Sequence, residues 1–322
     1  MSRKIIGMIS SYPGVDQRPD WLWQQTPHPF GIWDNIQIRS TEPKPDFLLM
    51  YNFTTFPQNP DNQPWSWKKP IRQKRYQAAE QILQNKIRGV PKERIIFLLR
   101  EPPLDEVVES NKKSYQQAKD YCGYISGPDD YAPIPDYMPA IWYLSNSFSE
   151  LDKMPEPEKI SSCSWVTSGV SRSANHLKRL GFLQMLCNSE LNIDIYGRDL
   201  PTWAKGVGPI SNKWYVMAPY YYNLTIENYA DNSWYVTEKL WDALLSWCLP
   251  IYYGGPAADK LLPPGSFLRL PSLDEKGLAY IREITATTDA WYEAKEAIAE
   301  ARQIVLHKLN LFNWLSEFVA KF

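Results

Sequence analysis

The sequence predicts two consecutive α/β domains, each built on a doubly wound parallel sheet, facing each other across a cleft. Three observations carry that prediction. Short continuous apolar runs, such as Phe47–Tyr51 and 94–99, have the composition of strands covered on both faces. These runs alternate with helical patterns, which is the grammar of a parallel sheet. A charged stretch without periodicity, Met-Pro-Glu-Pro-Glu-Lys at 154–159, interrupts the alternation, and the alternation then restarts. With 322 residues and 44% hydrophobic positions, the chain holds material for two cores. The expected division is an N-terminal domain over 1–156, a C-terminal domain over 157–305 and a C-terminal amphipathic helix over 306–322.

Taken in order, Lys4–Ser10 reads as a short buried strand that ends in the breaker cluster Ser11, Tyr12, Pro13, Gly14. Phe47–Tyr51 follows the turn signal Glu-Pro-Lys-Pro-Asp at 42–46. A loop rich in Pro, Asn and Trp spans 57–70, a basic helical pattern covers 71–87, Gly89 stops it, and 94–99 is the third strand. Beyond 159, the pattern gives a strand at 163–167, a helix at 175–187 and a strand at 193–196 closed by Gly197. Tyr220–Ile226 is a further strand, 237–247 a helix, Leu249–Tyr253 a strand, and Gly254-Gly255-Pro256 its turn. Near the C-terminus, Leu311, Phe312, Trp314, Leu315, Phe318, Val319 and Phe322 recur at helical spacing, opposite Asn313, Glu317 and Lys321. Such a helix packs across the domains; the alternative is a surface helix touching a membrane or partner.

Composition excludes several classes. Lys and Arg total 35 against 36 Asp and Glu, a net charge of −1, which supplies no electrostatic footprint for nucleic acid. The apolar run at 5–9 is shorter than a signal-peptide core, and nothing approaches the roughly 18 apolar residues of a membrane span. A cytoplasmic protein is expected, with peripheral membrane contact through the C-terminal helix as the alternative. Cys122, Cys163, Cys187 and Cys248 are widely spaced, and none stands with His28, His176 or His307 at zinc spacing, so reduced core thiols are expected. The 14 Trp and 20 Tyr favour a carbohydrate ligand only slightly, because the same residues fill ordinary cores.

The chemistry concentrates at 221–244. A strand ending at Ile226 delivers Glu227 and Asn228 to a loop, and the loop runs past Tyr235 to Thr237, which can cap a helix opening with Glu238 and Lys239. A helix N-terminus offers unpaired N–H donors and a positive dipole end, which suits phosphate, and Lys239 adds a mobile charge. An ionised Glu238 would instead accept hydrogen bonds from sugar or ribose hydroxyls. A capped helix with an ordinary Glu/Lys surface pair fits the same residues.

The run Leu-Thr-Ile-Glu-Asn at 224–228, the block Tyr-Val-Thr-Glu-Lys-Leu-Trp-Asp-Ala at 235–243, and Leu-Pro-Ile-Tyr-Tyr-Gly-Gly-Pro at 249–256 closely resemble the donor-binding signature of the α-1,3-fucosyltransferases, glycosyltransferase family ten, bacterial type. The resemblance is strongest from 220 to 270 and continues more loosely upstream to Cys163. It implies a GT-B enzyme that moves L-fucose from GDP-fucose to a glycan hydroxyl with inversion. On that match Arg179 corresponds to the family arginine that faces the donor diphosphate together with the Lys239 position, with Arg172 as a competing candidate. Glu227, Asn228, Tyr235 and Glu238 would hold the fucose and ribose. Arg-Glu-Pro-Pro at 100–103 resembles the family's strand ending in Glu-Ser-Pro, which makes Glu101 the general base, with Pro102 where the family usually has Ser. The N-terminal half would recognise an oligosaccharide acceptor, and the resemblance implies that no metal cofactor is required; consistent with this, the sequence carries no Asp-x-Asp motif, so cationic side chains would meet the diphosphate. Ile226 stands where many relatives have Phe, so a transferase of this fold using another nucleotide-sugar is an alternative, as is a non-catalytic carbohydrate-binding protein.

Overall fold

A computed structural model of the chain describes residues 3–12, 15, 17–18, 20–59 and 69–322. Pro13 and Gly14 of the expected breaker cluster, and 60–68 of the expected Pro- and Trp-rich loop, lie outside the described residues. The chain forms two compact units, Met1–Asp136 with Ser316–Phe322, and Tyr137–Leu315.

The first unit contains strands β1 (Lys4–Ser10), β2 (Ile32–Trp33), β3 (Ile36–Ile38) and β4 (Phe47–Tyr51), helix α1 (Lys69–Ile87), β5 (Ile95–Leu98), α2 (Val108–Tyr121), β6 (Tyr124–Gly127) and β7 (Ile134–Pro135). Its described sheet has the order β2-β3-β1-β4-β5-β6-β7, parallel except for the β2–β3 pair. Every residue of β4 and β5 is buried, which accounts for their unbroken apolar runs. Leu48, Met50, Phe97 and Leu99 meet Leu83 and Ile87 of α1 and Tyr115 and Ala118 of α2 in one core. Gly89 follows α1 with φ +74°, a left-handed stop that glycine adopts at low cost.

The second unit contains α3 (Phe148–Lys153), β8 (Ser161–Ser168), α4 (Ala174–Asn188), β9 (Ile193–Arg198), β10 (Tyr220–Ile226), α5 (Glu238–Leu245), β11 (Leu249–Tyr253), α6 (Ala257–Leu261), β12 (Leu268–Arg269), α7 (Glu275–Thr285), α8 (Asp289–Gln303) and α9 (Leu311–Val319). Its described sheet is parallel throughout, in the order β12-β11-β10-β8-β9. The winding therefore reverses between β8 and β10. In open α/β sheets the crevice outside the carboxyl ends of the strands at such a reversal is where ligands bind. Trp165, Leu224 and Ile251 on the strands pack with Phe182, Leu186, Ile281, Trp291 and Ile298 from the helices.

The stretch 154–159 packs into the second unit. The Lys159 ammonium donates to the carbonyls of Ala218 at 2.8 Å and Ser246 at 3.4 Å, and Glu156 pairs with Lys295. The division between compact units falls earlier, after Asp136, because Ala140 already bridges to Asn310 and the Tyr143 N–H donates to Asp242. The apolar face of α9 is buried through Leu311, Phe312, Leu315, Phe318 and Val319, so the helix has no apolar face free for a membrane surface. No described helix is long and apolar enough to cross a membrane. The four cysteines are free thiols, and burial pushes Cys122 up to about 12 and Cys248 up to about 11.

Candidate active site

A cavity of about 460 Å³ opens at the carboxyl end of the second sheet. Its walls are the ends of β8 (Val166, Thr167, Ser168), β9 (Gly197, Arg198) and β10 (Ile226), the side chain of Arg179 from α4, the segment 209–213, and Glu238 and Lys239 at the start of α5. Gly197 is what lets the backbones close up here. Its φ is +144°, and a Cβ at this position would sit 1.6 Å from the Thr167 carbonyl oxygen.

Three side chains organise one wall around α5. Thr237 caps the helix, its hydroxyl accepting from the Lys239 N–H at 3.4 Å. Glu227, the first residue beyond β10, turns inward. One carboxylate oxygen accepts from the Thr237 N–H at 2.8 Å, and the other lies 2.7 Å from the Thr237 hydroxyl and 3.3 Å from the Lys239 ammonium. Burial raises the Glu227 pKa, and the Lys239 charge opposes that rise. For Lys239, burial lowers the pKa but the carboxylates of Glu227 and Glu238 outweigh it, so the ammonium stays charged above its ordinary range. The result is a fixed cation at a helix N-terminus.

Arg179 stands beside this wall and is 5% exposed. Its guanidinium donates to Asn228 Oδ1 at 2.6 Å and to the carbonyls of Ser168 at 3.0 Å and Val170 at 3.3 Å. Ser173 caps α4 by accepting from the His176 N–H, and that cap sets the helix on which Arg179 rides. Burial lowers the arginine's pKa without neutralising it. Its Nε–H is buried and finds no acceptor among the described residues. A desolvated donor left unpaired is costly unless an anion supplies the acceptor.

The residues expected from sequence thus separate into groups. Arg179, Glu238 and Lys239 line the cavity. Asn228 accepts from Arg179, and Glu227 pairs with Thr237 and Lys239, so the oxygens making these contacts are engaged inside the protein. Tyr235 is buried at 4% exposure with its ring edge-on to Tyr229, and its N–H donates to Asn232. Arg172 is exposed. Glu101 lies in the first unit, exposed, just past the end of β5. The Tyr12 hydroxyl donates to it, and Tyr12 in turn accepts from Asn52 at 2.8 Å. Tyr12 and Asn52 follow β1 and β4, the strands between which the first sheet's winding reverses.

Sequence reasoning missed Lys213, Asp242 and Tyr143. Lys213 and Tyr143 line the cavity, and the Lys213 ammonium lies 2.5 Å from the fully buried Asp242. Among the described residues no cluster of three or more His, Cys, Asp or Glu is placed to hold a metal ion.

HepE from Anabaena, solved with UDP-glucose, is similar in fold at a TM-score of 0.52 and 12% identity, over 99% of this chain and 100% of that one. An α-glucosyltransferase solved with UDP and a 13-mer DNA gives a TM-score of 0.54 at 7% identity, over 99% of both chains. These likenesses identify the fold as GT-B, two Rossmann-like α/β domains. A Helicobacter pylori α-(1,3)-fucosyltransferase is 31% identical over 86 residues, which span 26% of this chain and 18% of that protein. Residues 157–293 match the model of the glycosyltransferase family 10 (fucosyltransferase) C-terminal domain, and they contain the β8, β9 and β10 ends, Arg179 and the start of α5. The cavity at the sheet reversal is therefore lined, apart from Tyr143, by the segment that matches this family model.

Proposed function

We propose that the chain is an inverting glycosyltransferase that transfers L-fucose from GDP-fucose to a glycan hydroxyl. The observation that carries this reading is the buried Arg179 guanidinium, whose Nε–H finds no acceptor among the described residues, beside Lys239 at the start of α5, within the family-matching segment. In the reaction the acceptor oxygen attacks the anomeric carbon as the bond to the diphosphate oxygen breaks. The electron pair leaves on the diphosphate, and Arg179, Lys239 and the N–H groups opening α5 meet the charge that builds there. Glu101 takes the acceptor proton, with Tyr12 and Asn52 orienting its carboxylate. Glu238, at the cavity wall, accepts from donor hydroxyls, while Glu227 and Asn228 keep the two cations in place. Because side-chain cations meet the leaving diphosphate, turnover is expected to persist in EDTA.

The test is release of GDP from GDP-fucose across a panel of galactose- and N-acetylglucosamine-containing acceptors, with GDP-mannose and UDP-sugars as competitors. Acceptor-dependent release from GDP-fucose supports the reading, and release only from another nucleotide-sugar replaces it. That second reading has an observation of its own, since Ile226 lines the cavity at the end of β10. A carbohydrate-binding protein without activity would release nothing.

A further inference from the structure

Lys213 lies in a short helical turn, Lys213–Val216, set by Asn212, whose side-chain oxygen accepts from the Trp214 N–H at 3.0 Å. That turn has no sequence proximity to α5, yet the Lys213 ammonium meets Asp242 of α5 at 2.5 Å. Asp242 is fully buried, and its other oxygen accepts from the Tyr143 N–H at 2.8 Å. A buried carboxylate with two engaged oxygens is an anchor of defined direction, because moving it would strand a charge in the interior. The lysine it anchors keeps 24% of its side chain exposed and lines the same cavity as Arg179 and Lys239. Lys213 and Lys239 also border one small cavity of about 20 Å³ with Asp242, so the two lysines are neighbours.

Three cations lining one cavity repel one another, and each here is held by separate protein groups: Arg179 by Asn228 and Ser168, Lys239 by Glu227, Lys213 by Asp242. Glu227, Glu238 and Asp242 balance these three charges, yet Arg179, Lys213 and Lys239 all line the cavity, while Glu227 and Asp242 are buried behind two of them. A ligand bearing several phosphate charges suits that lining. We infer that Lys213 is a third phosphate-contacting cation of this cavity, with Asp242 as its positioning residue. This rests on the reading of the cavity as a GDP-sugar site and adds to it a residue outside the α4 and α5 helices.

The test is calorimetric titration of the full chain with GDP and, separately, with guanosine, which has the same base and ribose without phosphate. The variants are Lys213→Met, Lys213→Arg, Asp242→Asn and the double Lys213→Met/Asp242→Asn, in which no buried carboxylate is left without its partner. A lost charge-assisted contact should weaken GDP by at least about tenfold in Lys213→Met and in the double variant, while guanosine stays within about twofold. Lys213→Arg should retain most GDP affinity, and Asp242→Asn should fall between, since the ammonium remains without its anchor. Equal losses for GDP and guanosine would reduce Lys213 to a structural role and overturn the inference, as would unchanged GDP affinity in the double variant. Should the unmodified chain itself fail to bind GDP, the reading of the cavity falls and the inference with it. Tight GDP binding that ignores Lys213 sinks the inference alone.

Discussion

Lys239 is surrounded by opposing demands. Burial works against its charge, and Glu227 and Glu238 together restore it, so the cation is fixed before any ligand arrives and costs little reorganisation during reaction. Removing such a preorganised donor typically costs about 2.7–4 kcal/mol in the transition state. Lys239→Ala should therefore lower turnover at saturating GDP-fucose by about two to three orders of magnitude, and unchanged kcat would refute its role on the leaving group. Glu101→Gln should lower turnover by about 10²–10⁴, read as kcat with donor and acceptor both saturating. If it does not, the base is a different group, and Glu227 is poorly placed to be that group, since Thr237 and Lys239 occupy its oxygens. The sequence shows Glu227 arriving at the end of a strand but not which way it turns. All but one residue of β10 is buried, so there is no polar-apolar alternation from which to read a face. Lys213 was less legible still. It sits in aperiodic chain, and its partner Asp242 reads as an ordinary helix residue until the fold brings the two together.

At the scale of elements, α5 is only Glu238–Leu245, too short to hold its start without the cap. Thr237 caps the helix and also binds Glu227, so one hydroxyl links helix start to strand end. Thr237→Val should cost about 0.5–2 kcal/mol of stability by thermal or denaturant unfolding, and should weaken GDP as Lys239 loses its fixed position. A stable variant with full GDP affinity would show that the cap is dispensable to the site. A second cap has a pH signature. In α3 the Ser147 N–H donates to Glu150 at 2.6 Å, with the Ser147 hydroxyl at 2.8 Å, and these bonds hold the Glu150 carboxyl below its ordinary range. The folded chain then binds this proton more weakly than the unfolded chain. The stabilisation is complete above the unfolded pKa and fades as pH falls through the lowered folded value. Glu150→Gln should melt below the unmodified chain at neutral pH, with the gap closing in acid; a constant gap would mean the charge is not the source. Strands β1, β4, β5, β8, β9, β10 and β11 and the helices α1, α4, α5 and α9 were readable from apolar runs, period and caps, whereas the short strands β2, β3, β6, β7 and β12 were not. Helix α2 was not, because Asn111, Ser114, Tyr115 and Ala118 form its buried face and leave little apolar period to see.

At the scale of the molecule, the domain boundary expected at 154–159 rested on a charged, Pro-punctuated stretch without periodicity, whereas the lysine of that stretch is satisfied by two backbone carbonyls of the second unit. Sequence composition reports polarity, and only the fold shows where that polarity is spent. The chain's last residues make the same point. From Ser316 onward they group with the first unit, which otherwise ends at Asp136. The Ser316 hydroxyl bonds to Asn35 at 2.7 Å, the Phe318 ring stands edge-on to Tyr124 at 5.2 Å, and Phe322 meets Phe47 at 5.4 Å. Fully burying a side chain of the Val or Phe class contributes about 1.5–3 kcal/mol, so Phe318 and Val319 together are worth roughly 3–6 kcal/mol to the first unit. A chain stopped at Leu315 should unfold at markedly lower temperature or denaturant, and Phe318→Ala alone should reproduce part of that loss. GDP gives the control that locates the effect. Ligand at a hundredfold excess over its Kd stabilises the unit that binds it by about 2.7 kcal/mol. If the tail supports only the first unit, GDP should bind the shortened chain with unchanged affinity below its unfolding transition. Equal stability of the shortened chain would show that these ring contacts contribute nothing, and lost GDP affinity would show that the tail also supports the cavity in the second unit.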